Sequence, residues 1–177
     1  MHADKLYHIF NRGNQKQTIF FDDRNYFYFL EKIQKTFAHD IDLLAYCLMP
    51  NHFHLMAHTN SEFNYDAFAD RLAIMLRSYT RGLQKQQKFI GSLFQQNTRK
   101  KELPLFQDAF NCFQYIHQNP IKANLVERIE QWQFSSFNEY MNSRPRFCNI
   151  NLGRELLDLP RKRTDFYNQS TLQIQPI

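Results

Sequence analysis

Two histidines separated by a single residue, His52 and His54, are the side chains in this sequence whose type and spacing best suit a metal ion. The apolar run 41–49 before them predicts a β-strand environment, in which alternate side chains share a face. Alternate Cα atoms of a strand are about 6–7 Å apart, so two neutral imidazoles would be fixed side by side. The spacing therefore predicts two metal ligands, with Phe53 pointing into the core between them. Hydrogen-bonded strand histidines without a metal are the alternative that this short motif leaves open.

A tyrosine and an asparagine on one face of a predicted helix, Tyr115 and Asn119, form the second group of interest. The helix is predicted over 102–118, with an apolar stripe formed by Phe106, Phe110, Phe113 and His117. Tyr115 follows Phe106 by nine residues, which places it on the opposite face at about 100° per residue. Asn119 follows one turn later on the same face. Because Pro120 disfavours helical geometry at the residue before it, we expect the helix to end at an exposed Asn119.

Other candidates compete with these groups. Tyr79 is a second possible nucleophile because charged residues flank it, but it lies on the apolar stripe of a helix predicted over 65–83, and we expect it to be buried. His8 and His58 are predicted to lie near the sheet without binding a metal. His58 lies four residues beyond His54, too far along a straight strand to share one ion.

The composition is that of one compact domain. The chain has 177 residues, with eighteen Phe and nine Tyr to form a core and only four Gly and six Pro. Its three cysteines are an odd number without a CxxC pair, so a disulfide framework or a thiolate zinc site is disfavoured and a cytoplasmic location is expected. No apolar run reaches membrane-spanning length and no signal-peptide pattern is present, so no membrane association is expected.

The basic residues are concentrated in one stretch. The net charge of +5 is modest, but segment 71–101 contains eight basic residues and no acidic one. These residues are Arg71, Arg77, Arg81, Lys85, Lys88, Arg99, Lys100 and Lys101. Amide side chains and three aromatic residues are interleaved with them, a mixture that suits phosphate contact and base stacking. A solvated helix face and loop is the alternative interpretation.

The order of predicted elements indicates an α+β fold. A strand over 6–12, a helix capped by Asp22 or Asp23, a strand over 41–49, the strand with the two histidines and the helix over 65–83 follow one another. A last strand or its connection is expected within 85–101. Together they predict a ferredoxin-like split β-α-β-β-α-β antiparallel sheet with helices on one face, plus an added helix that carries Tyr115. We expect one domain over 1–140, and 141–177 as its C-terminal extension or tail.

Five short motifs occur in a characteristic order along residues 5–140. They are Asn11-Arg12-Gly13-Asn14, Ile19-Phe20-Phe21-Asp22-Asp23, Met49-Pro50-Asn51-His52-Phe53-His54-Leu55-Met56, Tyr115-Ile116-His117-Gln118-Asn119-Pro120-Ile121-Lys122-Ala123-Asn124-Leu125-Val126 and Trp132-Gln133-Phe134-Ser135-Ser136. In this combination the chain closely resembles the single-tyrosine HUH transposases, specifically the REP-associated tyrosine transposases. The resemblance implies an enzyme that nicks and rejoins single-stranded or hairpin DNA through a 5′-phosphotyrosine intermediate.

The resemblance also implies roles for individual residues. His52, His54 and Asn119 would bind a divalent ion, Mg²⁺ or Mn²⁺, and Tyr115 would be the nucleophile. The residues expected to contact DNA are Arg12, Arg77, Arg81, Lys85, Phe94, Arg99 and Lys100. Asn124 replaces a Gly of the family pattern, which is tolerable in a left-handed conformation.

A second departure from the family pattern lies upstream of the helix predicted over 102–118. The pattern Gly-x-Leu-Trp-Gln-x-Arg appears here as 91–97, with Phe94 as a stacking surface and Asn97 in place of the Arg. Whether Arg99 substitutes is left open. Two further functions remain: a nucleic-acid-binding regulator on the same fold that has lost catalysis, and a metal-dependent nuclease without a covalent intermediate. Segment 142–177 could pack as a short helix, reach DNA, contact a second subunit in a homodimer, or be disordered.

Overall fold

A four-stranded antiparallel sheet forms the centre of the protein in the computed structural model, which describes residues 1–172. The strands are β1 (Leu6–Arg12), β2 (Ile41–Met49), β3 (His52–Thr59) and β4 (Arg99–Glu102). The helices are α1 (Asp23–Phe37), α2 (Tyr65–Gln87), α3 (Phe106–Lys122), α4 (Phe137–Met141), α5 (Ile150–Leu157) and α6 (Arg163–Ser170). Short 3₁₀ turns occur at Asn14–Lys16 and Ile129–Gln131.

The strand order is β2-β3-β1-β4, so the first and third strands are central. β3 pairs antiparallel with both β1 and β2, and β4 pairs antiparallel with β1. This is the order of a split β-α-β-β-α-β sheet, and it confirms the predicted fold class. The sequence-based strand bounds 6–12 and 41–49 agree with β1 and β2, because continuous apolar or alternating residues mark both strands.

Helices α1 and α2 cover one face of the sheet. Asp22 caps α1 with a reciprocal hydrogen-bonded box that includes Asn25, as its position before the apolar stripe predicts. The buried side chains of α2 are those of the predicted stripe: Phe68, Leu72, Met75, Tyr79 and Leu83. The ring of Phe29 on α1 lies 5.0 Å from those of both Phe53 and Tyr79. This face therefore holds an aromatic core to which β3 contributes Phe53.

Helix α3 covers the opposite face. Its fully buried side chains include Cys112, Phe113, Ile116 and His117. Phe106, by contrast, is 55% exposed and Phe110 is only partly buried, so the predicted stripe is right for its second half alone. The helix begins at Phe106 instead of 102 because residues 99–102 form β4.

The end of α3 differs from the prediction. The helix continues through Asn119 and Pro120 to Lys122, and Asn119 is buried instead of exposed. The amide of Leu125 donates to the Pro120 carbonyl and that of Asn124 to the Ile121 carbonyl, which is a Schellman arrangement. Asn124 has the left-handed backbone expected of it, with φ of 53°. The helix therefore ends at Lys122, two residues beyond Pro120.

Residues after α3 pack against the free edge of β2 and against α3 itself. The amide of Leu48 donates to the Phe134 carbonyl, and the amide of Ser136 donates to the Tyr46 carbonyl. Phe166 on α6 is fully buried and lies 6.4 Å from Phe113, ring to ring. Segment 141–172 is thus packed on the sheet domain, whereas 173–177 lies outside the described residues. A domain division at residue 140 stays a prediction.

No helix in the described part of the chain combines the length and apolar character needed to cross a membrane.

Candidate active site

A cavity of about 470 Å³ opens on the face of the sheet that carries His52 and His54. Its lining consists of Phe10, Asn11, Arg12, Lys16, Asn51, His52, His54, Gln95, Asn97, Arg99 and Tyr115. Three of these side chains are basic and none is acidic. A cavity of this composition suits an anionic ligand that also offers flat rings or polar groups.

Strand pairing sets which side chains reach this cavity. In the register of β1 with β3, Phe10 lies opposite His54 and Arg12 lies opposite His52. Side chains at directly opposed positions share a face, so all four lie on the side of the cavity. The imidazoles of His52 and His54 have their centroids 5.0 Å apart, and Phe53 between them is fully buried on the other side. The predicted alternation is therefore present.

The loop between α2 and β4 forms one wall of the cavity. Asn11 donates from Nδ2 to the Gln95 carbonyl and to Thr98 Oγ1, at 3.2 and 2.9 Å. The amide of Gln95 donates to the Arg12 carbonyl. These bonds to β1 hold Gln95, Asn97 and Arg99 beside the histidine pair.

His52 is oriented by its neighbour Asn51. His52 Nδ1 lies 2.6 Å from Asn51 Oδ1, and Asn51 Nδ2 donates to the Lys16 carbonyl. Because a carbonyl oxygen only accepts, the proton of the neutral ring is on Nδ1, and Nε2 carries the lone pair. Burial lowers the pKa of His52, and the nearby Arg12 lowers it further. The ring is thus in a form that can bind a metal.

His54 is more deeply buried than His52. Its Nδ1 lies 2.9 Å from Nε2 of His8 on β1, and its own Nε2 is buried without a hydrogen-bond partner. Burial lowers the pKa of His54 well below its usual value, and the neighbouring His8 and His52 add to this effect. A neutral ring with an unpaired buried nitrogen is what a metal ligand requires.

Tyr115 reaches this site from α3. Its ring lies edge-on to His54, with 5.3 Å between centroids, and 6.2 Å from His8. The ammonium of Lys122, two turns further along α3, lies over the same ring at 5.3 Å from its centroid. Burial raises the pKa of Tyr115, and a hydrogen-bonding contribution from Asn119 offsets part of the rise. The phenol is therefore protonated at neutral pH.

Asn119 is one turn beyond Tyr115 on α3. Its Nδ2 donates to the Tyr115 carbonyl at 2.7 Å, which leaves Oδ1 as its free acceptor. Asn119 is 8% exposed and does not line the cavity. Its carbonyl oxygen is a donor type that a divalent ion accepts.

The residues present fit a mixed nitrogen and oxygen metal site. Within residues 1–172, no group of three or more His, Cys, Asp or Glu side chains could hold a metal ion. An ion at the two Nε2 atoms would therefore need oxygen donors from Asn119, from water or from a phosphate. Imidazole nitrogens suit Mn²⁺ better than Mg²⁺.

The predicted DNA-contact residues fall into two groups. Arg12 and Arg99 line the cavity. Arg77, Arg81 and Lys85 are exposed on α2, which packs on the other face of the sheet. The structure thus brings two of these cations to the histidines and keeps three away from them.

Lys100 and Phe94 also lie away from the cavity. Lys100 alternates with Arg99 on β4, faces the other side of the sheet and lies over the Tyr65 ring. Phe94 is 6% exposed and its ring lies about 6 Å from that of Tyr79, inside the aromatic core. The prediction that Phe94 presents a stacking surface is corrected here, because the loop folds back and Phe94 bridges to Gly13 next to β1.

Tyr79 is buried as expected. It is 1% exposed, and its hydroxyl donates to the Ile19 carbonyl at 2.7 Å. Burial raises its pKa far above the usual range. A buried, hydrogen-bonded phenol on the far face of the sheet is a core residue, as the position of Tyr79 on the apolar stripe predicts.

Sequence reasoning missed three contributors to the site: His8, Asn51 and Lys16. That His8 is not a metal ligand stays a prediction, and its contact with His54 was not foreseen. Asn51 is adjacent to His52, and an amide side chain next to a candidate ligand is a signal that could have been used. Lys16 follows β1 in a 3₁₀ turn, and only the fold brings it to the cavity.

The chain was compared with family models, with curated proteins and with solved structures. No family model matches the chain. A REP-associated tyrosine transposase of Haemophilus influenzae is 30% identical over 109 residues, which are 54% of this chain and 58% of that relative. The chain thus spans less than two thirds of the curated relative that it matches.

A solved structure shares the fold. It is a REP-associated tyrosine transposase bound to a REP hairpin, with a TM-score of 0.64 and 16% identity over 80% of this chain and 81% of that one. Together the two comparisons confirm the resemblance to REP-associated tyrosine transposases that the motifs indicate.

Proposed function

We propose that the protein nicks and rejoins single-stranded or hairpin DNA, with Tyr115 as the nucleophile and a divalent ion bound by His52 and His54. The observation that carries this proposal is the packing of Tyr115 against His54 inside a cavity whose charged side chains are all basic. A phosphodiester attacked by a phenol needs both a positioned hydroxyl and positive charge around the phosphate. The cavity offers both within one site.

The proposed substrate follows from charge and from the relatives. Arg12, Lys16 and Arg99 are exposed cations at the cavity and could each contact a phosphate. The solved structure of similar fold is bound to a REP hairpin, and the curated relative is named a REP-associated tyrosine transposase. We therefore propose a DNA hairpin or its single-stranded flank as the substrate of this chain.

The reaction would consist of one substitution at phosphorus. The Tyr115 oxygen forms a bond to phosphorus while the bond from phosphorus to the 3′ oxygen breaks. The phenolic proton leaves to solvent, the 3′ oxygen gains a proton, and the DNA remains attached to Tyr115 as a 5′-phosphotyrosine. The reverse attack by a 3′ hydroxyl rejoins the strand without an energy source, because the ester bond is conserved.

The chain's residues would have distinct tasks in this step. Because its pKa is raised by burial, the Tyr115 phenol is a weak nucleophile at neutral pH and needs its developing charge to be balanced. Arg12 and Arg99 would hold and orient the flanking phosphates. A divalent ion, when bound, supplies Lewis-acid stabilisation of the charge on the phosphate oxygens. His52, His54 and Asn119 would hold it, with Mg²⁺ or Mn²⁺ as the ion.

A covalent-adduct assay tests the proposal. Labelled hairpin oligonucleotides with randomised loops and single-stranded flanks are incubated with the protein and Mn²⁺, then separated under denaturing conditions. We expect a labelled protein band with the wild type and with Tyr79→Phe, and none with Tyr115→Phe. Tyr115→Phe should still bind the oligonucleotides, because the cations remain.

Each other outcome assigns a different function. An adduct that persists in Tyr115→Phe and disappears in Tyr79→Phe would move the nucleophile to Tyr79. Strand cleavage by Tyr115→Phe without an adduct would indicate a nuclease that uses water. Binding by the wild type with no adduct or cleavage under any of these conditions would indicate a DNA-binding regulator.

A further inference from the structure

We propose that His8 is a positioning residue. It accepts a hydrogen bond from Nδ1 of His54 and so keeps Nε2 of His54 free to bind the proposed divalent ion. This inference rests on the proposed function, because a bound ion is what favours the arrangement in which His54 Nδ1 donates. His8 would touch neither the ion nor the DNA. It would act through the ligand that it holds.

The contact between the two rings is built into the sheet. His8 lies two residues before Phe10, the residue opposite His54, so both histidines face α3. His8 Nε2 is 2.9 Å from His54 Nδ1, and the ring centroids are 5.1 Å apart. Each histidine is only 6% exposed, so water does not compete freely for this contact.

Only one proton arrangement leaves His54 suited to a metal. If His54 Nδ1 donates to His8, then His54 Nε2 carries a lone pair. If His8 Nε2 donates instead, His54 Nε2 carries a hydrogen that is buried without an acceptor. A buried N–H group without an acceptor is unfavourable. A bound ion would satisfy the lone pair, so the first arrangement is the one compatible with metal.

His8 offers a matching acceptor. A neutral imidazole with its hydrogen on Nδ1 has a lone pair on Nε2, the atom that lies 2.9 Å from His54 Nδ1.

Packing also fixes the orientation of the His8 ring. The ring stacks on Phe10 with centroids 4.6 Å apart and lies edge-on to Tyr115 at 6.2 Å. These contacts hold the plane of the His8 ring at the angle at which its Nε2 meets His54 Nδ1. His8 thus lies against both the proposed ligand and the proposed nucleophile.

Two substitutions separate hydrogen bonding from packing. His8→Phe keeps an aromatic ring and removes the acceptor, whereas His8→Gln keeps an acceptor at a similar reach. His58→Phe is the matched control, because His58 lies on the same face of β3 near the opposite end of the strand. Circular dichroism and thermal unfolding of each variant establish that it is folded.

The first measurement is the tautomer of His54 in the metal-free wild type, read from ring ¹⁵N chemical shifts. We expect the hydrogen on Nδ1 of His54, and its signal should move in His8→Phe and not in His58→Phe. A hydrogen on Nε2 of His54 in the wild type would overturn the inference. This measurement requires no metal, DNA or catalysis.

The second measurement is Mn²⁺ affinity in the absence of DNA, by calorimetry or electron paramagnetic resonance. Loss of a residue that holds a metal ligand typically weakens affinity about 10- to 100-fold, and we expect this for His8→Phe. His8→Gln should recover most of the affinity and His58→Phe should match the wild type. An unchanged affinity in a folded His8→Phe would contradict the inference. A wild type that binds no Mn²⁺ would instead overturn the proposed function.

Discussion

The ring of Tyr115 packs edge-on against the imidazole of His54, with 5.3 Å between the centroids and 82° between the ring planes. The two residues come from different elements, α3 and β3, which meet because α3 covers the histidine face of the sheet. The proposed nucleophile and one proposed metal ligand are therefore in contact, as joint action on one phosphate would require. In-line attack needs reacting atoms about 3–3.5 Å apart.

The position of the cations predicts which of them matter for DNA. Arg12→Ala and Arg99→Ala each remove a charge from the cavity, and each should lower oligonucleotide affinity uniformly across sequences. In a plot of log affinity against log salt concentration, the magnitude of the negative slope should decrease by about one for each phosphate contact that is lost. Fluorescence anisotropy over a salt series provides this measurement.

Arg77→Ala and Arg81→Ala are matched controls for these variants. Both arginines are exposed on α2, and that helix packs on the other face of the sheet. Their removal should leave both affinity and salt slope close to those of the wild type. Larger losses from these two than from Arg12 and Arg99 would place the DNA on the α2 face.

Phe94 is expected to contribute to stability instead of DNA stacking. Its ring lies among those of Phe29, Phe53 and Tyr79 in the aromatic core. Truncation of a buried phenylalanine leaves a cavity and costs about 3–5 kcal/mol, so Phe94→Ala should lower the free energy of unfolding by that amount in urea denaturation. Phe106→Ala, at a position that is 55% exposed, should change it by less than about 0.5 kcal/mol. A small effect of Phe94→Ala together with weaker DNA binding would restore the stacking role.

His117 should make the protein sensitive to acid. The residue is fully buried, its Nε2 lies 2.7 Å from Ser136 Oγ, and burial lowers its pKa to about 3. The unfolded chain therefore binds a proton near pH 6.5 that the folded protein takes up only near pH 3. The free energy of unfolding has its full value above about pH 6.5. As the pH is lowered from about 6.5 to about 3, it decreases by about 1.4 kcal/mol per pH unit for this one group.

Urea denaturation of the wild type and His117→Gln over this pH range tests that expectation. The variant should be less stable at neutral pH and should lose less stability on acidification. The surface variant His39→Gln serves as the control for removal of a histidine. If His117→Gln retains the full pH dependence, other groups account for the acid sensitivity.

Asn119 is predicted to contribute an oxygen to the ion. Asn119→Ala should weaken Mn²⁺ affinity about tenfold, because the free Oδ1 is lost. Asn111 lies two turns earlier on α3, where its Oδ1 accepts from Gln107, and Asn111→Ala is the matched control. Calorimetry without DNA measures both variants. Equal affinities for the wild type and Asn119→Ala would limit the role of Asn119 to its hydrogen bond with the Tyr115 carbonyl.

Much of this site follows from short-range patterns. Strand alternation predicts that His52 and His54 share a face, and helix periodicity predicts that Tyr79 is buried and Tyr115 is not on the apolar stripe. These statements depend on residues within one element. They agree with the structure because each element has a strong apolar pattern of its own.

The remaining features depend on contacts between elements. The role of His8 requires the register of β1 with β3, and no pattern within β1 encodes that register. Phe94 occurs among basic and amide residues that suggest an exposed loop, but the loop pairs with the end of β1 and turns the ring inward. Asn119 stays helical before a proline because the turn that follows provides partners for the last carbonyls.

A covalent bond between Tyr115 and DNA is the feature that distinguishes the proposed reaction from simple binding or hydrolysis. Mass spectrometry of a protease digest of the adduct formed with a hairpin oligonucleotide and Mn²⁺ detects this bond. We expect the peptide containing Tyr115 to carry the 5′ end of the cleaved strand through a phosphotyrosine. Attachment at another tyrosine, or a cleaved strand with a free 5′ phosphate and no modified peptide, would contradict it.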